Sequence, residues 1–267
     1  MKPITMRIML LRFLFVPLLL ASVLSAHARE QNMPPGTREP LIELHPTQAP
    51  TQKTIGVLIF PGFEMLDAYG PMEMWGNLKY IPAAVWGGEE KRVGVRVVTI
   101  AAKRGEVASN QGPKTMADFG YGDAPQLDYL LVPGGLGVIA LLQDRDTLNW
   151  LRGQAGKATI VMSVCNGASL LAASGILDNR PATTNKMFWT NSTMPGPKVK
   201  WVKKARWVDD GAVVTSSGVS AGMDMSLAVI RRLYGDEVAA WLERLTEYDA
   251  HRDPAWDPFA VKAGLVE

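Results

Sequence analysis

Apolar residues along this chain come in two rhythms. Short unbroken runs, Ile55–Phe60, Asp128–Val132 and Thr159–Ser163, are separated by longer stretches whose apolar positions recur every three or four residues. The short runs have the length of strands buried on both faces, and the longer stretches have the period of amphipathic helices. Helices are predicted over Met65–Leu78, Asp146–Ala155, Ala221–Tyr234 and Asp236–Tyr248. The last has an acidic first turn, which suits the positive end of a helix. Val93–Ala102 alternates in part and reads as another strand. Trp201–Val208 and Ala212–Thr215 read as two more, joined by a turn at Asp209-Asp210-Gly211. Strands alternating with helices predict an α/β fold with a mostly parallel sheet covered on both faces. In such sheets ligands bind beyond the carboxyl ends of the strands.

The ends of the chain follow neither rhythm. Lys2, Arg7 and Arg12 precede a nearly continuous apolar run, Phe13–Leu24, and then Ala26-His27-Ala28. A basic start, an apolar centre and a small-x-small site predict an export signal over 1–28, cleaved before Arg29. The apolar run is shorter than the about 20 residues that span a bilayer comfortably. A periplasmic protein without a stable membrane anchor after cleavage is therefore expected, with an uncleaved anchor as the alternative. Residues 29–53, rich in Pro, Gln, Thr and charge, read as a flexible lead-in. A single domain is expected over 54–250 and a polar tail over 251–267. The three cations of the signal meet no acid there, so the formal charge of +2 for the whole chain becomes −1 beyond residue 28. That balance gives no footprint for nucleic acid.

The chain has one cysteine, Cys165, so no intramolecular disulfide can form. It follows the run Thr159–Ser163 and precedes the small-residue helical segment Ala168–Gly175. Strand, sharp turn and helix would lift the thiol out of the sheet at a helix N-terminus, where free N–H groups favour a thiolate. The competing reading is a buried cysteine acting as a small hydrophobe.

Two other loops follow buried strands. Pro61-Gly62-Phe63-Glu64-Met65-Leu66-Asp67 carries two acids. Asp67, between Leu66 and Ala68, is the more sheltered and is the candidate acid beside the thiol; otherwise it caps the helix. In Val132-Pro133-Gly134-Gly135 the glycines let backbone approach a ligand. The N–H groups of Gly134, Gly135 and Asn166 are candidates for an oxyanion hole. Asn166, next to the nucleophile, is counted with the catalytic residues. One Cys with His45 and His251 makes no metal-ligand set, and no phosphate or dinucleotide fingerprint is present. The expected partner is a small-molecule substrate, with no metal and no cofactor.

Together these loops resemble the ThiJ/PfpI superfamily from about Ile55 to Tyr248. The resemblance rests on Gly56–Phe63 with Leu66-Asp67 and Gly70-Pro71, Leu131–Gly135, Ser163–Ala168, Gly175–Leu177, Arg180–Thr184 and Ser216–Asp224. Within the superfamily the Leu-Asp-x-x-Gly-Pro context is similar to the isonitrile hydratase branch and to the amidotransferase-like sensor domain of AraC-type regulators. The resemblance implies a flavodoxin-like three-layer sandwich, a homodimer, a nucleophile at Cys165 with an acidic partner at Asp67, and no cofactor. For the hydratase branch it implies addition of water to an isonitrile, giving an N-substituted formamide. Two positions depart from that branch: Asn166 stands where Thr is common, and Asn185 stands where His is common. Without that His there is no Cys-His dyad from this position, which sets aside peptidase and amidotransferase chemistry of that kind.

Three functions follow as alternatives. One is an exported cysteine-dependent hydro-lyase of the isonitrile hydratase type. The second is a periplasmic ligand-binding or sensing module, since no helix-turn-helix is read after the closing helix. The third is a stress or carbonyl-repair protein whose Cys165 is oxidised or reacts with glyoxals.

Overall fold

A computed structural model of the protein describes residues 49–267. The export signal and most of the lead-in lie outside the described residues. The main sheet contains β1 (Thr51–Leu58), β2 (Val93–Ala101), β5 (Phe119–Gly120), β6 (Tyr129–Val132), β7 (Ile160–Ser163), β10 (Trp207–Asp210) and β11 (Val213–Ser216). Its order is β10-β11-β7-β6-β1-β2-β5, with only β10 antiparallel to its neighbour. Two small ladders stand apart from it: the hairpin β3 (Gly105–Ala108) with β4 (Lys114–Ala117), and β8 (Pro181–Ala182) with β9 (Lys200–Trp201).

The central strands are buried on both faces because helices cover the sheet, which explains their unbroken apolar sequence. Every residue of β6, β7 and β11 is buried, as are the last four of β1. The helices are α1 (Met65–Gly76), α2 (Ala83–Trp86), α3 (Val138–Leu141), α4 (Arg145–Ala155), α5 (Gly167–Ala173), α6 (Trp189–Thr193), α7 (Ala221–Tyr234), α8 (Asp236–Thr246) and α9 (Pro258–Lys262). The α4 helix turns Thr147, Leu148 and Leu151 inward, and Asp144 caps it by accepting from the Asp146 N–H at 3.2 Å. Gly70 lets α1 lie close to α7: a Cβ there would meet Met223 Cγ at 2.8 Å.

The register brings the strand ends together. Val57 pairs with Leu131, Val132 with Ser163, and Ser163 with Thr215. The loops after β1, β6, β7 and β11 therefore open at one edge. The chain passes from β1 outward to β2 and β5, then returns to β6 on the other side of β1. This reversal makes the β1–β6 crevice the topological switch point, where open α/β sheets place their ligands.

Several elements differ from the sequence reading. The first strand begins at Thr51, because residues 51–58 pair with Val93–Ile100 even where they are exposed. Asp209 and Asp210 belong to β10 and pair with Val214 and Val213. The hairpin turn is only Gly211-Ala212, with Gly211 at φ 74°. Acids are tolerated there because β10 is an edge strand, and Arg232 and Arg180 pair with Asp209 and Asp210. Residues 251–267, expected as a tail, carry α9 and bury Asp257 and Ala260.

The packing of α5 onto β6 should be sensitive to one methyl group. A Cβ at Gly167 would lie 2.3 Å from the Val132 carbonyl oxygen, and backbone cannot yield as a side chain can. Gly167→Ala is expected to destabilise the fold by roughly 2 kcal/mol or more, read as a lower urea midpoint.

Candidate active site around Cys165

Cys165 forms the turn between β7 and α5, and its φ is 57°, in the left-handed region that residues with a Cβ rarely adopt. Both of its peptide groups are bonded. The Cys165 N–H donates to Ser217 O at 2.8 Å, and Thr184 Oγ1 donates to Cys165 O at 2.9 Å. Only 6% of the residue is exposed. Three donors meet its sulfur: the N–H groups of Asn166 and Val219 and the side-chain amide of Asn185, whose Nδ2 is 3.1 Å from Sγ. Val219 is itself at φ 27°.

Asp67 is fully buried beside this thiol. It does not cap α1: Glu64 occupies the N-cap position and makes no side-chain cap bond. Asp67 Oδ2 accepts from the Gly134 N–H at 2.9 Å. Oδ1 is buried and finds no N–H or O–H donor among the described residues. Burial pushes this carboxyl up to about 8, against the pull of the Gly134 N–H, and nearby Glu64 adds to the rise. At neutral pH Asp67 therefore holds its proton.

The thiol moves in the same direction. Burial, and then the Asp67 charge, push it above the ordinary thiol range, and the three donors offset only part of that. The expectation that the helix N-terminus would make Cys165 a thiolate is thus corrected. The helix beginning at Gly167 does supply N–H groups, but desolvation of a buried sulfur outweighs them. The resting pair is a neutral acid against a neutral thiol.

The glycine loop is brought to the site, but its donors are committed elsewhere. Gly134 gives its N–H to Asp67, and Gly135 gives its N–H to Asn166 Oδ1 at 2.8 Å. Asn166 Nδ2 returns a bond to Gly135 O at 3.1 Å. The expected oxyanion role of the Gly134 and Gly135 N–H groups therefore meets an occupied arrangement. The donors that face the sulfur are instead Asn166 N–H, Val219 N–H and Asn185. Asn166 acts as a two-bond tie between the loops after β6 and β7. Glu64, the other acid of the first loop, is tied to Gln111, whose Nε2 donates to its Oε1 at 2.6 Å. It lines the cavity above the thiol, and its backbone N–H donates to Gly134 O at 2.8 Å.

That cavity has a volume of about 420 Å³. Cys165 and Asn166 form part of its floor, with Leu136, Ile139, Leu142 and Phe188 as apolar walls. Asp67 does not reach its surface. Among the described residues no three His, Cys, Asp or Glu side chains gather into a metal-ligand group. His251 is exposed and stacks on Trp256, with ring centroids 3.7 Å apart.

In the sequence Asn185 stands out only as a departure from a family pattern and Val219 only within a matching motif, and neither position carries a site role there. Each supplies a donor to Sγ from a loop distant along the chain.

A DJ-1/PfpI family model matches residues 53–232. The chain belongs to the DJ-1/PfpI family. It is 32% identical over 194 residues to an isonitrile hydratase of Pseudomonas putida, covering 73% of this chain and 78% of that one. It is 26% identical over 211 residues to the HTH-type transcriptional regulator GbdR of Pseudomonas aeruginosa, covering 78% of this chain and 54% of the regulator. Among solved structures, a ThiJ/PfpI family protein from Pseudomonas syringae superposes with a TM-score of 0.64 at 24% identity, over 88% of this chain and 91% of that one. This last likeness carries the flavodoxin-like α/β fold.

The neutral Asp67 gives stability a definite pH dependence. Its pKa is about 8 in the folded protein against 3.8 for the free group. Between those values the folded state holds a proton that the unfolded chain has lost, so stability falls as pH rises from about 4 to about 8. At this group the fall is on the order of 5 kcal/mol. Urea unfolding of Asp67→Asn over that range should show a much flatter slope than the wild type.

Proposed function

We propose that this protein is a cysteine-dependent hydro-lyase that adds water to an isonitrile. The observation that carries the reading is a thiol and a carboxylic acid buried side by side beneath a mostly apolar cavity, where burial pushes both toward their protonated forms. An isonitrile is small, weakly hydrated and uncharged, and its terminal carbon must gain both a proton and a bond. Such a substrate suits a site that holds protons better than it holds charge.

In the first step Sγ of Cys165 bonds to the terminal carbon, and that carbon takes up one proton. The thiol proton and the Asp67 proton are exchanged across their contact. The net change is addition of S–H across the carbon, leaving a thioimidate, R–N=CH–S. Asn185 and the N–H groups of Asn166 and Val219 steady the sulfur as charge develops on it. Water then adds to the same carbon and the C–S bond breaks. The oxygen of water becomes the formamide carbonyl. Its two protons end on nitrogen and, through Asp67, on sulfur. The similarity to the Pseudomonas putida enzyme supports this substrate class.

A second reading is ligand binding without turnover. It is favoured by the near-complete enclosure of Cys165 and by the similarity to a transcriptional regulator. A ligand that raises the melting temperature while remaining chemically intact would support it.

Wild-type protein incubated with alkyl and aryl isonitriles should yield the corresponding formamides, seen by mass spectrometry. Cys165→Ala and Asp67→Asn are each expected to lose at least about a hundredfold in rate. Survival of every isonitrile after prolonged incubation with wild type would sink the hydratase reading. Because the acid must be protonated, kcat/KM should fall as pH rises through about 8.

A further inference from the structure

Residues 183–186 clasp the nucleophile turn. The Thr183 N–H donates to Thr215 Oγ1 at 2.8 Å, Thr184 Oγ1 holds the Cys165 carbonyl, and Asn185 Nδ2 reaches Sγ. The Lys186 ammonium folds back over the same turn. It donates to Thr183 Oγ1 and, at 3.1 Å, to Thr184 O. Its charge meets Asp257 Oδ2 at 3.3 Å, and the two side chains are only 2% and 1% exposed.

Asp257 belongs to the C-terminal segment, beyond residue 232 where the family model stops. Its Oδ1 accepts from the Phe259 N–H at 3.0 Å at the start of α9, so its carboxylate is fixed in orientation. The segment has a second anchorage. The Arg206 N–H donates to Pro254 O at 2.7 Å, and Asp224 Oδ1 accepts from the His251 N–H at 3.0 Å. Asn185, by contrast, is not held by packing alone. A second cavity of about 570 Å³ lies next to the thiol cavity, lined by Met187, Ser217, Phe259 and Lys262 among others. The two cavities share Asn185 and Val219, two of the three residues whose donors meet the sulfur. With cavities on both sides, the Asn185 amide is oriented by two bonds, Nδ2 to Sγ and Oδ1 accepting from the Phe188 N–H at 3.1 Å, and both rely on the backbone of the 183–188 stretch being held in place. A buried ion pair is a poor source of stability compared with apolar packing. Its value here is placement.

We propose that Lys186 and Asp257 are positioning residues for the thiol: their ion pair fixes the 183–186 turn so that Asn185 keeps its bond to Sγ, which makes the C-terminal segment a working part of the site. The inference goes beyond isonitrile hydration and needs only a thiol that can be alkylated.

The test is alkylation of Cys165 by iodoacetamide across a pH series, followed by mass spectrometry; the chain has no other thiol. The variant Lys186→Met/Asp257→Leu removes both charges together and should keep the fold, since apolar replacement of a buried pair is commonly neutral. Its alkylation at neutral pH is expected to slow roughly tenfold, with the profile displaced to higher pH. Asn185→Ala should do the same, and the triple variant should be no slower than Asn185→Ala alone. A folded Lys186→Met/Asp257→Leu protein with the wild-type profile overturns the proposal. So does an effect that multiplies with Asn185→Ala. If the double variant does not fold, Asp257→Asn, which keeps the oxygen that caps α9, must show the same slowing. Iodoacetamide reads the thiol without isonitrile turnover, so this result stands apart from the hydratase assay.

Discussion

The left-handed backbone at Cys165 is the constraint around which the site is organised. A residue with a Cβ at φ 57° costs on the order of 1–3 kcal/mol and persists only where its surroundings over-determine it. Here the peptide on one side is held by Ser217 and the peptide on the other by Thr184. Those two residues come from different loops, and each loop also brings a donor to the sulfur: Val219 from the first and Asn185 from the second. Strain at the nucleophile and polar contact with its sulfur therefore have the same source. The register of β7 against β11 matters for this reason, since Ser163 opposite Thr215 places Ser217 under the Cys165 amide.

Burial then decides the protonation state. A thiol facing three donors in water would be a candidate thiolate, but this sulfur is almost wholly enclosed and has a carboxyl group as neighbour. Two groups that would repel each other as anions settle by keeping their protons. The cost falls on the fold, which holds an acid far from its preferred state near neutrality. The gain is a buried acid and thiol held next to each other without charge repulsion. Glu64, the other acid of the same loop, is only half-buried and is bonded to Gln111.

The sequence carried the central sheet plainly because β1, β6 and β7 are covered on both faces and so appear as unbroken apolar runs. The turn at Cys165 and the acid at Asp67 were legible for a related reason: each follows such a run directly. What escaped lies where burial is partial or contact is long-range. The β3–β4 hairpin alternates exposed and buried residues over only four positions per strand, too few to set a period. Asp209 and Asp210 read as a turn because acids are rare in central strands, and β10 is not central. Asn185 lies 20 residues from the cysteine it contacts, and no local pattern marks that meeting. The donors of Gly134 and Gly135 looked free in sequence, but the side chains that occupy them become neighbours only through the β6–β7 register.

The reciprocal amide bonds between Asn166 and Gly135 bear on which donors the pocket can offer. In acyl-transfer enzymes the loop opposite the nucleophile keeps its N–H groups vacant, and an alkoxide drops into them. Here both N–H groups of that loop are already taken, Gly134's by Asp67 and Gly135's by the side-chain amide of Asn166. What polar contact remains near the sulfur comes from the opposite direction, from Asn166 N–H, Val219 and Asn185. The glycine loop thus gives the site a fixed register, and the polarity of the pocket is carried by one side alone.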